Sequence, residues 1–202
     1  MEILDLLIIG AGPIGLNCAL EAKKNNLTYL IVEKGTIVNS LYHYPLYMRF
    51  FSTAEKLEIA EIPFITTAPK PGRQDALEYY QGIARQKDLS INLYEKVLNV
   101  RKNEEIFEVE TSKSRYSAKN VIISTGFYDL PNAMNIPGEN LEKVKHYYTE
   151  PYPFAQQKIV VVGSSNSAVD AALETYRKGA EVTMIIRHSE ISKSVKYWVQ
   201  PD

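Results

Sequence analysis

The strongest constraint on the fold is a strand–glycine turn–helix–strand pattern that occurs twice in this chain of 202 residues. The first copy occupies residues 4–33 and the second occupies residues 158–186. Each copy opens with a short, continuous apolar run, which is typical of a strand buried on both faces of a parallel sheet. Each run ends at a glycine that precedes a helical stretch, and a second apolar run follows. Two such βαβ units predict an α/β fold with two nucleotide sites.

The first turn is the segment GAGPIG at residues 10–15. It follows a strand and opens a helix, and Glu33 comes 18 residues after Gly15 at the end of the next predicted strand. Gly10 permits a tight turn, Gly12 lets the backbone approach a pyrophosphate, and Gly15 lets helix and strand pack closely. The helix N-terminus favours an anion, and Glu33 can accept hydrogen bonds from both ribose hydroxyls. We therefore expect a dinucleotide with an unphosphorylated ribose, such as FAD or NAD, to bind at Gly10, Gly12, Pro13, Ile14, Gly15, Glu33 and Lys34.

The second turn is the segment GSSNSA at residues 163–168, and it departs from the glycine pattern. Ser165 replaces the middle glycine and Ala168 replaces the last. Arg187 lies 19 residues after Ala168, close to the position that Glu33 has in the first copy. A carboxylate there would repel a 2′-phosphate, whereas a guanidinium can bind it with paired hydrogen bonds; the alternative is a solvated arginine at a strand end. The second site is predicted to take NADPH through Gly163, Ser165, Asn166, Ser167, Ala168 and Arg187, with His188 beside it.

Composition excludes several other kinds of site. Acidic and basic residues number 24 and 23, so the chain lacks the basic excess that nucleic acid or an anionic membrane surface would require. The single cysteine, Cys18, rules out an intrachain disulfide and a CxxC pair, and three scattered histidines show no metal-ligand spacing. The uncharged stretch at residues 6–20 is too short and too broken to span a bilayer. Since no secretory signal opens the chain, we expect a cytoplasmic protein.

The region between the two copies is longer and less regular. Residues 34–72 are rich in tyrosine, phenylalanine and proline, and a loop of this length is usually functional. After it, the periodicity predicts a helix at residues 74–86 and strands at residues 91–100, 106–110 and 115–124. We expect residues 1–146 to form the N-terminal part of one nucleotide-binding domain and residues 147–202 to form part of a second. A doubly wound domain needs at least a third strand after Ile186, so the chain is predicted to be truncated at its C-terminus.

Several segments carry a resemblance to known proteins. The run IISTGFYDLP at residues 122–131, together with the two dinucleotide motifs, resembles the two-dinucleotide-binding-domain flavoproteins. More specific segments are YPLYMRFFSTAEKLEI, KPGRQDALEYY, PGENLEKVKHYYTEPYPF, GSSNSAVDAALE and SVKYWVQPD. Together they resemble the bacillithiol disulfide reductase family, which is thioredoxin-reductase-like but lacks the CxxC pair.

This resemblance implies a Rossmann-like FAD domain with an antiparallel β segment and a partial Rossmann-like NADPH domain. It places Thr125 and Gly126 near the adenosine part of FAD, and Phe51 and Ser52 near the flavin, where an aromatic ring can stack. An aromatic patch covered by another segment is the alternative interpretation of residues 42–51. The implied activity is that of an NADPH-dependent flavoprotein oxidoreductase that reduces a low-molecular-weight disulfide, such as bacillithiol disulfide, or another acceptor. A homodimer is one assembly that the sequence leaves open.

Two other functions stay open. A flavin-dependent monooxygenase would share the two glycine motifs but would need FxGxxxH between them, and Gly138 here lies eight residues before His146. A non-catalytic nucleotide-binding or redox-sensing protein would need no flavin reduction. No catalytic residue is identified, although His43 and His146 are the histidines closest to such a site in the sequence. The family often has a cysteine where Ile14 stands, so Cys18 is predicted to be a core residue and not a redox thiol.

Overall fold

The computed structural model describes residues 3–196, and the chain divides into two compact units. The first unit contains the chain up to Tyr44 together with Met48–Ala133, and the second contains Pro45–Tyr47 together with the chain from Met134 onward. The division therefore falls before residue 134, whereas the sequence predicted a domain boundary after residue 146. The assignment of one dinucleotide to each unit stays a prediction.

A six-stranded mixed sheet forms the centre of the first unit. Its strand order is β3-β2-β1-β6-β5-β4. Strand β1 pairs in parallel with β2 and β6, and β2 pairs in parallel with β3, whereas β4, β5 and β6 pair antiparallel. In chain order the elements are β1 (Ile3–Ile9), α1 (Pro13–Lys24), β2 (Tyr29–Val32), α2 (Asn39–Tyr42), α3 (Arg73–Gln86), β3 (Ile91–Asn92), β4 (Val97–Asn103), β5 (Ile106–Thr111) and β6 (Arg115–Ile123).

Two apolar clusters cover the two faces of this sheet. Because side chains alternate along a strand, Leu6 and Ile8 of β1 belong to a cluster that contains residues of α1 and α3. Leu7 and Ile9 belong to a second cluster with Val109 of β5. Both faces of β1 are thus buried, which explains its continuous apolar sequence. This packing aligns the carboxyl ends of β1, β2 and β6 at one edge of the sheet.

The predicted elements are largely confirmed, with one clear error. The predicted strand at residues 91–100 is wrong as a single strand, because β3 ends at Asn92 and β4 begins at Val97. Tyr94 lies between them in the left-handed region, with φ of +54°, and interrupts the extended backbone. Within the irregular region 34–72 the structure also contains α2 and a 3-10 turn, Ala54–Leu57. Cys18 on α1 is half-buried and packs against the first cluster, as expected of a core residue.

The second unit contains a single βαβ arrangement among its described residues. Strands β7 (Lys158–Val162) and β8 (Glu181–Ile185) are parallel, with helix α4 (Asn166–Arg177) between them in the chain. Helix α4 buries Val169 and Thr175, and Gly179 follows it with φ of +89°, as the sequence predicted for the C-cap region. Within residues 3–196, no helix combines the length and the apolar character that crossing a membrane requires.

Candidate functional site

The first glycine turn lies at the carboxyl end of β1, and two of its glycines are required by close backbone contacts. Gly10 has φ of +108°, and a Cβ there would lie 2.5 Å from the carbonyl oxygen of Ser124. A Cβ at Gly15 would lie 1.9 Å from the carbonyl oxygen of Gly10. Gly12 is different, because a Cβ there would meet no atom within 4 Å. The space in front of Gly12 is therefore open to an approaching ligand.

Glu33 follows β2 directly and its carboxylate is held in place by backbone amides. The residue is 6% exposed. Its Oε2 accepts a hydrogen bond of 2.8 Å from the N–H of Ala11, and its Oε1 accepts one of 2.8 Å from Gly35. Since each carboxylate oxygen has two lone pairs, both oxygens keep a site for another donor. The glycine turn and the acidic residue of the motif are thus physically linked.

The segment after β6 completes this edge of the first unit. The Ser124 hydroxyl donates to the carbonyl oxygens of Ile9 and Gly10, at 3.0 Å each. Thr125 and Gly126 follow and are exposed, and Gly126 has φ of +68°. Sequence reasoning did not identify Ser124, although it directly precedes the Thr-Gly pair that carried the family resemblance. The structure therefore brings the predicted residues of the first turn, Glu33, Thr125 and Gly126 to one edge.

Lys34 reaches across the same edge to this segment. Its Nζ lies 2.5 Å from Oδ2 of Asp129, and the two side chains are 44% and 25% exposed. Tyr128, the neighbour of Asp129, donates from its hydroxyl to the carbonyl oxygen of His43 at 3.3 Å. The charge of Lys34 is therefore neutralised within the first unit.

The aromatic residues predicted near a flavin are held by their neighbours in the loop. Phe51 is 52% exposed, and Lys70 donates to its carbonyl oxygen at 2.6 Å and lies 5.3 Å above its ring. Ser52 is half-buried. Tyr44 packs edge-on against Tyr128, and burial raises the pKa of its phenol, so this residue stays neutral at physiological pH. Tyr44 is consequently a packing residue and not a candidate base.

The second glycine turn is less crowded than the first. Gly163 has φ of +127°, and a Cβ at this position would lie 3.2 Å from the Cβ of Ala168. Ala168 therefore fits where the first turn requires Gly15. Ser165 precedes α4 as its N-cap without a side-chain capping bond, and both Ser165 and Ser167 are exposed. These two hydroxyls lie at the helix N-terminus, where an anion is favoured.

The register of the two βαβ units shows which residues correspond. Gly10 donates its N–H to the last residue of β2, Val32, and Gly163 donates to the last residue of β8, Ile185, at 2.9 Å in both cases. Ile186 is therefore the counterpart of Glu33, and Arg187 is the counterpart of Lys34. Arg187 and His188 are both exposed, and Ile186 is half-buried. The arginine thus lies one residue beyond the position that the sequence comparison suggested.

Two side chains near the second turn have partners that sequence reasoning did not predict. Asn166, a predicted nucleotide ligand, donates from Nδ2 to the carbonyl oxygen of Ser194 at 2.9 Å, and its Oδ1 accepts the N–H of Lys196 at 2.8 Å. Lys196 was expected to be solvated, and this is wrong, because its Nζ lies 2.5 Å from Oδ2 of Asp170. Lys193 is exposed, as expected.

The two candidate acid–base histidines lie in different units. His43 ends α2 and is exposed. His146 lies in the second unit, with its Nε2 3.9 Å from Oε1 of Glu139. Glu139 is buried, and the N–H groups of Met134 and Asn135 donate to its carboxylate, which holds its pKa below the usual value of 4.5. The neighbouring acid gives His146 a structural partner in its own unit.

Comparison with known proteins identifies a consistent group of relatives. A family model described as pyridine nucleotide-disulphide oxidoreductase matches residues 7–202. The chain is 46% identical over 97% of its length to bacilliredoxin reductase Bdr of Bacillus subtilis (strain 168). It superposes on the solved bacillithiol disulfide reductase Bdr (YpdA) from Bacillus cereus with a TM-score of 0.96 and 45% identity, covering 99% of this chain. A flavin-containing monooxygenase from Stenotrophomonas maltophilia, at 24% identity and a TM-score of 0.81, shares the fold over 98% of this chain and 63% of its own.

The chain spans only part of its relatives. It covers 61% of the length of the Bacillus subtilis protein and 63% of the solved Bacillus cereus chain. Over that shared part, the likeness confirms the predicted fold class, an α/β flavoprotein architecture with Rossmann-like units. It also confirms the resemblance on which the sequence argument relied.

Proposed function

The chain belongs to the pyridine nucleotide-disulphide oxidoreductase family, and from this premise we propose that it is part of an FAD-dependent oxidoreductase that uses NADPH to reduce a disulfide. FAD and NADP(H) are the cofactors of this family group. The observation that carries the proposal is the pair of glycine turns with different residues after the second strand. Glu33 is a fixed carboxylate in the first unit, whereas Ile186 and the exposed Arg187 occupy the matching positions in the second.

The first turn has the features that an FAD pyrophosphate and ribose require. The open space at Gly12 supports close approach of a diphosphate to the backbone, next to the N-terminus of α1. The remaining lone pairs of Glu33 can accept from ribose hydroxyls, and the same carboxylate repels a 2′-phosphate. Thr125 and Gly126 border the adenosine side, with Ser124 holding their segment against the turn. We assign Gly10, Gly12, Pro13, Ile14, Gly15, Glu33 and Lys34 to this site, with Phe51 and Ser52 on the flavin side.

The second turn has the features that NADPH requires. No carboxylate follows β8 at the position of Glu33, so a 2′-phosphate meets no repulsion from that residue. Lys34 is paired with Asp129, whereas its counterpart Arg187 has no ion pair within the part of the chain that the structure describes. An unpaired guanidinium can form charge-assisted hydrogen bonds with a phosphate. We assign Gly163, Ser165, Asn166, Ser167, Ala168, Arg187 and His188 to this site.

When bound, the flavin supplies the electron chemistry between nicotinamide and acceptor. The residues of this chain bind and orient the two dinucleotides, and none of them needs to act as a thiol. Cys18 is half-buried on α1, and the sulfur packs against the apolar core. The acceptor is a disulfide of low molecular weight, such as bacillithiol disulfide, in keeping with the name of the solved relative. The name of the Bacillus subtilis relative points instead to a bacilliredoxin.

The test is reconstitution of the purified chain with FAD, followed by anaerobic addition of NADPH. We expect loss of the oxidised-flavin absorbance with NADPH, a much slower loss with NADH, and the same behaviour in Cys18→Ser. Subsequent addition of bacillithiol disulfide or oxidised bacilliredoxin should restore the absorbance, and glutathione disulfide serves as the comparison acceptor. Retention of FAD without reduction by NADPH would contradict the proposal and favour a nucleotide-binding protein without catalysis. Loss of reduction in Cys18→Ser, with flavin retained, would indicate a flavin–thiol mechanism.

A further inference from the structure

Residues 191–196, which we call the strap, return from β8 to the second glycine turn. The N–H of Ser192 donates to the carbonyl oxygen of Ser164 at 3.0 Å. Asn166 holds the strap from the other side, through hydrogen bonds of 2.9 Å to Ser194 and 2.8 Å from Lys196. Val195 is 3% exposed. The strap is therefore packed and hydrogen-bonded against the start of α4.

An ion pair fixes the end of the strap to the first turns of α4. Lys196 Nζ lies 2.5 Å from Asp170 Oδ2, and the side chains are only 12% and 25% exposed. A second pair in the same unit, Lys158 with Glu181, is longer at 3.3 Å, and its side chains are 84% and 71% exposed. Because solvent screens the shielded pair less, Asp170–Lys196 is expected to stabilise its contact more than the exposed pair does.

The strap closes a short loop that carries Arg187 and His188. At one end of this loop Ile185 accepts a hydrogen bond from Gly163, and at the other end Ser192 donates to Ser164. The two ends of residues 186–191 are thus attached to neighbouring residues of the glycine turn. A loop closed in this way has few conformations, so its side chains are held near the turn without direct contacts of their own.

We propose that Asp170 and Lys196 are positioning residues, which hold the strap and thereby keep Arg187 near the 2′-phosphate of the nucleotide. This inference rests on the proposed function, since it takes the second turn as the NADPH site. Preorganisation reduces the entropy lost when Arg187 is ordered by the ligand. Neither Asp170 nor Lys196 is required to touch the nucleotide.

The decisive variant is Asp170→Asn, because two effects act in opposite directions. Removing a negative charge near an anion site would strengthen phosphate binding by Coulomb attraction alone. Release of the strap instead weakens it, by about 2- to 10-fold, the amount associated with ordering one long side chain. The measurement is calorimetric titration of the full 202-residue chain with 2′-phospho-ADP-ribose and with ADP-ribose. We expect the first affinity to fall and the second to stay unchanged, with a similar result in Lys196→Met.

Three further variants make the outcome unambiguous. Glu181→Gln removes the same charge from the exposed pair and should leave both affinities unchanged, whereas Asp170→Glu should recover most of the selectivity. Faster amide hydrogen exchange at Ser192 in Asp170→Asn would show that the strap has opened. Equal losses for the two ligands, or a gain for 2′-phospho-ADP-ribose, would overturn the proposal. If Arg187→Ala lowers the selectivity while Asp170→Asn and Lys196→Met do not, the strap role fails and the NADPH site stands; if Arg187→Ala has no effect either, both fail.

Discussion

At the first glycine turn the residue after β2 is Glu33, whose buried carboxylate binds two backbone amides; at the second turn the residue after β8 is Ile186, and the exposed Arg187 comes next. The backbone course is shared, because a glycine with positive φ begins each turn and donates to the last residue of the neighbouring strand. The fold thus supplies an anion-binding helix N-terminus twice, and the residues after the second strand differ. The comparison teaches that these few positions, and not the turn itself, determine which ribose each unit prefers.

The largest effect is expected where the first turn is tightest. In Gly15→Ala the new methyl group would overlap the carbonyl oxygen of Gly10, since a Cβ at this position would lie only 1.9 Å from that atom. The backbone must move, and we expect a loss of about 3 kcal/mol in the free energy of unfolding. Urea unfolding of the ligand-free chain measures it. An unchanged midpoint would show that the two turns do not differ in helix–strand packing.

Two matched variants complete this comparison. Ala168→Gly in the second turn should cost only about 1 kcal/mol, because alanine already fits there and glycine is the poorer helix former. Gly12→Ala should cost no more than about 1 kcal/mol of stability, since its Cβ would enter open space, yet it should abolish FAD binding. Normal FAD binding by Gly12→Ala would remove the pyrophosphate from that position.

A smaller loss is expected at the carboxylate that distinguishes the first turn. Glu33→Gln keeps the side-chain shape, but its amide NH₂ cannot accept from a backbone N–H, so one of the two bonds is lost. We expect a reduction of about 1.5–3 kcal/mol in the free energy of unfolding, as for a hydrogen bond to a charged group. Thermal and urea unfolding of the two proteins provide the measurement. A loss below about 0.5 kcal/mol would show that the carboxylate is not held as described.

The smallest effect concerns the buried carboxylate of the second unit, Glu139. Backbone N–H groups of Met134, Asn135 and Ile136 hold its pKa below the usual value, with His146 adding to this. A carboxylate with a lowered pKa stabilises the folded state above its unfolded pKa of 4.5, and this contribution is lost as the pH falls through the lower folded pKa. Glu139→Gln should therefore lower the Tm at pH 7 and approach the parent Tm in acid. A Tm difference that does not change with pH would contradict this account.

The parts of the fold that follow local rules could be predicted from the sequence. Gly10, Gly15 and Gly179 occur where positive φ or close packing requires them, and the apolar runs of β1 and β7 match their burial and pairing. The position of Glu33 beside the first turn also followed from spacing alone. Each of these signals is contained in fewer than about 20 consecutive residues, which is the span of a βα unit.

The parts that depend on the chain returning to itself could not be predicted. Ser124 reaches Gly10, and Lys34 reaches Asp129, across about 100 residues of sequence that carry no matching periodicity. The strap contacts of Asn166 and Asp170 are of the same kind, which is why Lys196 was expected to be solvated. The one-residue offset between Glu33 and Arg187 became visible only through the strand register.

The central claim, that the second turn selects a phosphorylated ribose through Arg187, is tested most directly by one pair of titrations. The parent chain and Arg187→Ala are each titrated with 2′-phospho-ADP-ribose and with ADP-ribose. A charge-assisted hydrogen bond contributes about 1.5–3 kcal/mol, so the variant should bind 2′-phospho-ADP-ribose about 10- to 100-fold more weakly and ADP-ribose almost as the parent does. An equal loss for both ligands would make Arg187 a structural residue, and no change for either would remove it from the nucleotide site.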